Sequence, residues 1–445
     1  MMKKLLLCCI LLVTAWAAHA QEKKVWTLQE CVDYALKNNL NVKTNLLNAE
    51  TSKVNLDQSK FQMLPTLNGG GSYGYNWGRN IDPTTNQFET ERINSINFQA
   101  SSSLLLFNGF RLFNNYKQSV TDNEAAAEDF IKAKNDVIIN VVTLYTTVIF
   151  NKELLSNAQS QLTTTTQQLE RTRKLAEAGS VPRGNVLDLD AQQASNELNV
   201  ITNENAVNLS ILRLKQALQI PGSQTMDIEV PELSVADGTI DETAEQIYEK
   251  ALTAMPEVRS ARLKLQSSLF AFKSARGSYF PRLSVNGNLF TNYSSRLDDL
   301  APGGYSRGEQ LNDNLAQSAS LQLQIPIFNG YQTRASVKRS YFNTQQAEIN
   351  LTSAENTLRQ AVETSYNDAS ASSKTYQSAL RLVNAREEAF RMLKQRYDNG
   401  AANFVEYQTA ENALFQAKSD LVRAKYDFIF KKKVLDFYQG KPIEF

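Results

Sequence analysis

Residues 110–179, opening FRLFNNYKQSV (110–120) and closing RTRKLAEAG (171–179), decide the fold. Within them Val141, Val148, Leu155, Leu162, Leu169 and Ala176 recur every seventh residue, with Val137, Leu144 and Ala158 on the interleaved positions. A strict seven-residue repeat is the seam of a coiled coil, narrower than the apolar stripe of a globular helix. Read as one helix, the stretch is about 105 Å long at roughly 1.5 Å per residue, several times the usual helix length. It follows Leu106-Phe107-Asn108-Gly109 and ends at Ala178-Gly179. The same object returns 221 residues later: Ile327-Phe328-Asn329-Gly330 opens it and Asn399-Gly400 closes it. Val362, Ala369, Tyr376, Val383, Phe390 and Tyr397 then fall on the same six seam positions. Two such helices in register indicate an elongated body built by duplication.

Working outward, each half repeats the same order. Thr27 to about Gln62 and Thr243 to about Tyr279 read as single amphipathic helices, stopped by Pro65 and Pro281. After each proline the apolar period changes to two. Leu67, Gly69, Gly71, Tyr73, Tyr75 and Trp77 alternate with polar or small residues, as do Leu283, Val285, Gly287, Leu289 and Thr291. A second strand precedes each Phe-Asn-Gly: Ile96, Phe98, Ala100, Ser102, Leu104 and Leu106 share one face, and Ala319, Leu321, Leu323, Ile325 and Ile327 share the other strand's face. Polar loops, 80–92 and 296–314, connect the strands. Past each long helix a tight turn leads into a shorter helix. The predicted division is a first repeat 21–222 (hairpin 65–107, helices 110–178 and 185–217), a linker 223–242, and a second repeat 243–445 (hairpin 281–328, helices 331–399 and 404–437).

Composition narrows the function. Lys+Arg 47 against Asp+Glu 46 leaves no charge excess to attract nucleic acid. Lys3 and Lys4, the apolar run Leu5 to Val13 and Ala18-His19-Ala20 give residues 1–20 the form of a signal peptide. Cys8 and Cys9 come too soon after Lys4 to serve as a lipoprotein cysteine. Cleavage would remove the sole histidine, His19, and leave Cys31 as the only cysteine. Histidine acid–base catalysis, a Cys/His metal cage and a disulfide are then excluded, and no cofactor is expected. No run of eighteen uninterrupted apolar residues suggests a spanning helix, the nearest being Val137 to Phe150 with its threonines. Alternating strands of about ten residues fit a membrane barrel wall; a small hairpin cap resting on a helix fits them too. Four strands cannot close a barrel, so closure requires copies of the chain, in a number the pattern leaves open.

The tandem halves, Pro65 and Pro281 at the hairpin entries, Gly109 and Gly330 at the strand-to-helix corners, and the tip turns at Gly179 and Gly400 together resemble the TolC-type outer-membrane efflux protein family. Arg396-Tyr397-Asp398-Asn399-Gly400 with Phe404-Val405-Glu406-Tyr407 is similar to that family's tip signature, as is Ala178-Gly179 with Val186-Leu187-Asp188. The resemblance implies a mixed α/β membrane protein: a homotrimeric outer-membrane β-barrel, four strands per chain, continuing into a periplasmic α-helical coiled-coil barrel. It implies a passive exit duct for drugs, metals or secreted polypeptide, working with a periplasmic adaptor and an inner-membrane transporter, set in outer-membrane lipid. Two departures stand out. Pro326 has Leu105 as its counterpart, and the paired acidic positions past the tip hold Glu406 and Thr409 in the second half, Asn185 and Asp188 in the first. Asp188 and Glu406 are the candidates for lining the periplasmic mouth, although a carboxylate in the first turn of a helix can simply complement its dipole. Tyr73, Tyr75, Trp77, Phe88, Phe290 and Tyr293 are candidates for an interfacial girdle. A secreted coiled-coil stalk without a channel accounts for the heptads but not for two symmetric hairpins, and no paired carboxylates suggest an enzyme.

Overall fold

The computed structural model describes residues 25–81, 86–90, 92–231, 242–300 and 304–441. Residues 1–20, with Cys8, Cys9 and His19, lie outside the described residues, as do 232–241 of the linker. Strand β1 (Val25–Trp26) precedes helices α1 (Leu28–Asn38) and α2 (Leu40–Phe61). Strands β2 (Thr66–Asn76), β3 (Asn80–Ile81), β4 (Phe88–Glu89) and β5 (Ile93–Phe107) lead into α3 (Arg111–Glu177), then α4 (Arg183–Leu218) and β6 (Asp227–Ile228). The second half carries α5 (Ala244–Ala254), α6 (Pro256–Gly277), β7 (Arg282–Ser294), α7 (Arg296–Leu300), α8 (Arg307–Asp313) and β8 (Ala316–Gln324). It ends with α9 (Gln332–Asp398) and α10 (Phe404–Tyr438). The long helices α3 and α9 have 67 residues each.

The first helix of each half is broken where the sequence suggests continuity. Both start on a capping box, Thr27 with Glu30 and Thr243 with Gln246, which satisfies amide donors at the helix end. Asn39 then leaves helical geometry (ψ 131°), and its Oδ1 accepts hydrogen bonds from Asn41 N and Val42 N. At the equivalent position Met255 (ψ 129°) is held out of the helix by Pro256. One break is a side-chain cap, the other a proline.

The chain divides into two units, 1–47 with 128–259 and 354–445, and 48–127 with 260–353. In the first, Trp26, Val32, Val141, Tyr145, Val148, Ile149, Leu214 and Ile228 form one buried core. Each such side chain contributes about 1.5–3 kcal/mol by leaving water. Strands β1 and β6 pair in parallel, and α3 ties them down: Tyr145 Oη donates toward Trp26 O and Glu229 O (3.2 and 2.8 Å), and Lys152 Nζ donates to Asp227 Oδ1 and Ile228 O (2.5 and 3.0 Å). Part of α3 is apolar enough to pass for a membrane span by composition, which the sequence did not lead us to expect. Val141, Val148 and Ile149 are instead core residues.

The second unit carries an antiparallel sheet in the order β2-β5-β7-β8. Register places Leu67, Tyr73, Ile96, Phe98, Leu104, Val285, Leu289, Leu321 and Leu323 on one face. The other face holds Asn68, Ser72, Asn97, Gln99, Ser101, Ser103, Asn286, Asn288, Ser320 and Gln322. Hydrogen bonds cross that polar face, Asn97 Nδ2 to Ser72 Oγ (3.2 Å) and Ser103 Oγ to Asn286 Oδ1 (2.8 Å).

Several expectations need correction here. Strand β8 stops at Gln324, so Ile325 and Ile327 are not on its face; Pro326 has no amide hydrogen to give a ladder. A bulge between Leu105 and Phe107 takes Leu106 out of register. The stretch 296–314 is not a bare loop: α8 packs on β7, with buried Gln310 accepting from Ser294 N (3.1 Å) and donating to Asp298 Oδ1 (3.0 Å). Tyr293 therefore lies beneath this insert, bonded to Asp298 with Arg307 over its ring. Phe290 pairs with Gln99 and Ala316 and shares the polar face, because a period of two sends it opposite Leu289. Tyr73, Tyr75 and Trp77 remain exposed, edge-on or tilted to one another, with Arg92 over Tyr75.

Candidate functional site

At the helix tips the chain reverses twice in the same way. Gly179 and Gly400 both adopt φ +73°, a conformation glycine enters without steric cost. Ser180 N bonds Leu175 O (2.8 Å) and Gly179 N bonds Ala176 O (3.0 Å); Ala401 N bonds Arg396 O (2.7 Å) and Gly400 N bonds Tyr397 O (3.0 Å). These are Schellman closures, which satisfy the last carbonyls of α3 and α9. Leu169, Leu189 and Phe404, with Val186 and Tyr397 against them, form a small apolar cluster at the tip.

Asn185 and Glu406 lie on the first turns of α4 and α10, and Asp188 and Thr409 on the second. Asp188 is exposed and makes no hydrogen bond or ion pair among the described residues, while Asn185 is half-buried. Glu406 is exposed and closes a cap: Asn403 Oδ1 accepts from Glu406 N and Asn403 Nδ2 donates to Glu406 Oε1, both at 2.8 Å. Thr409 Oγ1 bonds back to Val405 O at 2.7 Å.

A neighbouring constellation escaped the sequence reading. Gln168 Nε2 on α3 reaches Tyr407 Oη (2.6 Å) and Glu411 Oε1 (2.8 Å) on α10, and Tyr407 Oη lies 3.4 Å from that carboxylate. Glu411 is buried, and burial pushes its carboxyl above the ordinary carboxylate range while the bonds from Gln168 and Tyr407 pull the other way. Burial, then the nearby Glu411 charge, push the Tyr407 hydroxyl up as well. Beside it, Asn196 Nδ2 bonds Thr165 Oγ1 (2.8 Å) and Gln192 Nε2 bonds Asn196 Oδ1 (3.0 Å). A signal existed: Phe404, Tyr407, Glu411 and Leu414 follow the heptad spacing, so Glu411 is a carboxylate on an apolar seam position.

At the other named positions, Pro65 and Pro281 sit immediately before β2 and β7. Gly109 (φ +69°) and Gly330 (φ +59°) make the corners into α3 and α9. A Cβ on Gly109 would meet Gly277 O at 2.2 Å, so here two backbones touch; a Cβ on Gly330 would meet none of the described residues within 4 Å.

A two-faced sheet whose edge strands β2 and β8 have no outer partner among the described residues, with long helices that turn back at their tips, fits the subunit of a membrane duct. Comparison with known proteins agrees. The outer membrane efflux protein profile matches twice, over residues 31–218 and 247–435, and the chain belongs to that family. It is 23% identical to the outer membrane protein TolC of Escherichia coli over 97% of this chain and 85% of that one. It is 22% identical to the alkaline protease secretion protein AprF of Pseudomonas aeruginosa over 85% and 77%. The solved outer membrane protein VceC of Vibrio cholerae superposes with a TM-score of 0.78 at 14% identity, covering 94% of this chain and 97% of that one. The protein is a non-enzymatic outer-membrane channel of an efflux or secretion system, extending into the periplasm.

Proposed function

We propose that three copies close a twelve-stranded barrel from four strands each, and that the helix tips form the gated periplasmic mouth of the resulting duct. The observation that carries this is the pair of open sheet edges. Strand β2 is exposed along nearly its whole length and β8 along all of it, and they flank a sheet with one apolar face and one polar face whose single charge is Arg282. A secreted stalk has no use for such a sheet, because exposed edges and an apolar face invite aggregation in water.

In this reading residues 1–20 direct export and are removed, and the repeats 21–222 and 243–445 each supply one hairpin and one set of helices. A periplasmic adaptor docks along the helix grooves, and an inner-membrane transporter supplies energy and cargo selection. Cargo is a small molecule or a polypeptide: one relative carries the name of a protease secretion protein. Docking loosens the tip, where the Gln168–Tyr407–Glu411 contact holds α3 to α10. Asp188 and Glu406 supply carboxylates to the mouth and favour cations.

Outer-membrane fractionation with heat-modifiable gel migration tests the assembly; a monomer that stays in solution without detergent overturns it. In planar bilayers Asp188→Asn with Glu406→Gln should lose cation preference. An unmoved reversal potential would reduce both residues to helix-end partners.

A further inference from the structure

The four strands of the sheet hold a single charged residue, Arg282, at the start of β7 and on the polar face. Beside it opens a cavity of about 530 Å³ whose walls include Arg111, Arg282, Gln324, Asn329, Thr333 and Ser336. Among the described residues no carboxylate lines it. Neither arginine has an ion-pair or hydrogen-bond partner among the described residues, and the Nε of Arg111 is buried without one. Arg111 is also held in place. A Cβ on Gly277 would meet Arg111 Cγ at 2.5 Å, so the bare backbone at Gly277 makes room for the arginine stem. The cavity further adjoins the first turn of α9, whose amide ends favour negative charge.

We propose that Arg111 and Arg282 form a binding site for a phosphate-type anion at the strand-to-helix junction. Two unpaired guanidiniums on one polar hollow supply planar donor forks suited to phosphate oxygens, and Thr333, Ser336 and Gln324 supply neutral donors around them. The site belongs to one half of the chain: the counterparts of Arg111 and Arg282 are Gln332 and Thr66. The duct reading enters at one point, in making the polar face the water-filled side, so that the anion arrives from the lumen as a soluble phosphate or phosphorylated solute. A phospholipid headgroup offers the same chemistry from the membrane.

Calorimetric titration of the detergent-purified full chain with inorganic pyrophosphate tests the site. Saturable binding at one equivalent per chain is expected, weakened about tenfold or more by Arg282→Gln and again by Arg111→Gln. Arg282 is exposed, so its variant keeps the fold if Arg111→Gln does not. No binding, or equal binding to the wild type and Arg282→Gln, overturns the proposal. Repeating the titration in nanodiscs separates the sources: affinity unchanged by phosphatidylglycerol supports a lumenal anion, and affinity lost in its presence assigns the site to lipid and overturns the lumenal source. In planar bilayers Arg282→Gln should shift the reversal potential toward cations. A wild-type pore whose selectivity ignores the variant sinks the anion site and leaves the duct standing, whereas no pore at all sinks the duct while the titration still decides the site.

Discussion

Residues 107–109 and 328–330 are both Phe-Asn-Gly, both precede a 67-residue helix, and both turn through a left-handed glycine. Their surroundings differ. Asn108 and Gly109 are buried, Gly109 against the end of α6, whereas Phe328 is 88% exposed and a Cβ on Gly330 would meet none of the described residues. The next residues do not repeat the contrast: Phe110 (φ +62°) and Tyr331 (φ +68°) are both exposed, the first edge-on to Phe107 and the second beneath Arg334. Identical local sequence yields identical local geometry, but the first corner finds its cover inside the chain and the second does not. The residues that would cover Gly330 by the same logic are at the end of α2, where Phe61 and Leu64 are likewise exposed. Proposed oligomer contacts join these two bare surfaces from different copies.

The largest expected effect breaks the closed corner. Gly109→Ala combines a disfavoured φ with collision against Gly277 O, costing roughly 3–5 kcal/mol, read as a collapse of the folded yield. Gly330→Ala carries only the conformational strain, about 1–2 kcal/mol, in an isolated chain. If another copy covers Gly330, its damage in the assembled protein should approach that of Gly109→Ala, and comparing denaturation of the two variants measures this directly. Next in size, Phe328→Asp should abolish the heat-modifiable oligomer on gels while the far-ultraviolet helix signal persists. Loss of both would mean that the exposed corner stabilises the chain itself.

The tips offer the third contrast. Glu411 and Asp190 are equivalent positions, yet Glu411 is buried and Asp190 meets Arg173 at 2.8 Å in solvent. A carboxyl raised by burial binds its proton more tightly in the folded state than in the unfolded one. The contact between α3 and α10 should therefore be firmest at acid pH and weaken as pH rises above the ordinary carboxylate range. Hydrogen exchange at the tip across that range should show the trend in the wild type, a flat profile in Glu411→Gln, and no change in Asp190→Asn. The smallest effect concerns the breaks in the first helices. Asn39→Ala removes a cap and should cost about 1 kcal/mol in thermal unfolding, while Pro256→Ala, which restores helix-forming freedom, should straighten α5 into α6.

These contrasts also explain what could be read from the chain. The seams, hairpins, corners and tip turns were legible because each follows a repeating rule: a seven-residue spacing, a two-residue alternation, or a glycine where φ must be positive. The break at Asn39 was not, since an asparagine whose side chain caps the following turn resembles any polar helical residue. Pro256 was visible, and the apolar pattern on either side of it masked its consequence. Phe290 fell on the wrong side because two apolar residues stand in a row and only strand pairing tells which one faces inward. Glu411 and the Arg111–Arg282 hollow required neighbours far apart in sequence, 243 residues for Gln168 and Glu411.

The bare strands at the two margins of the sheet bear on biogenesis. A chain newly arrived in the periplasm carries unfilled amide and carbonyl ladders along the outer edges of Thr66–Asn76 and Ala316–Gln324, so in the proposed trimer the last folding step is a meeting between molecules. Such a step slows on dilution, and a sister molecule and a stray aggregate compete for the same two ribbons.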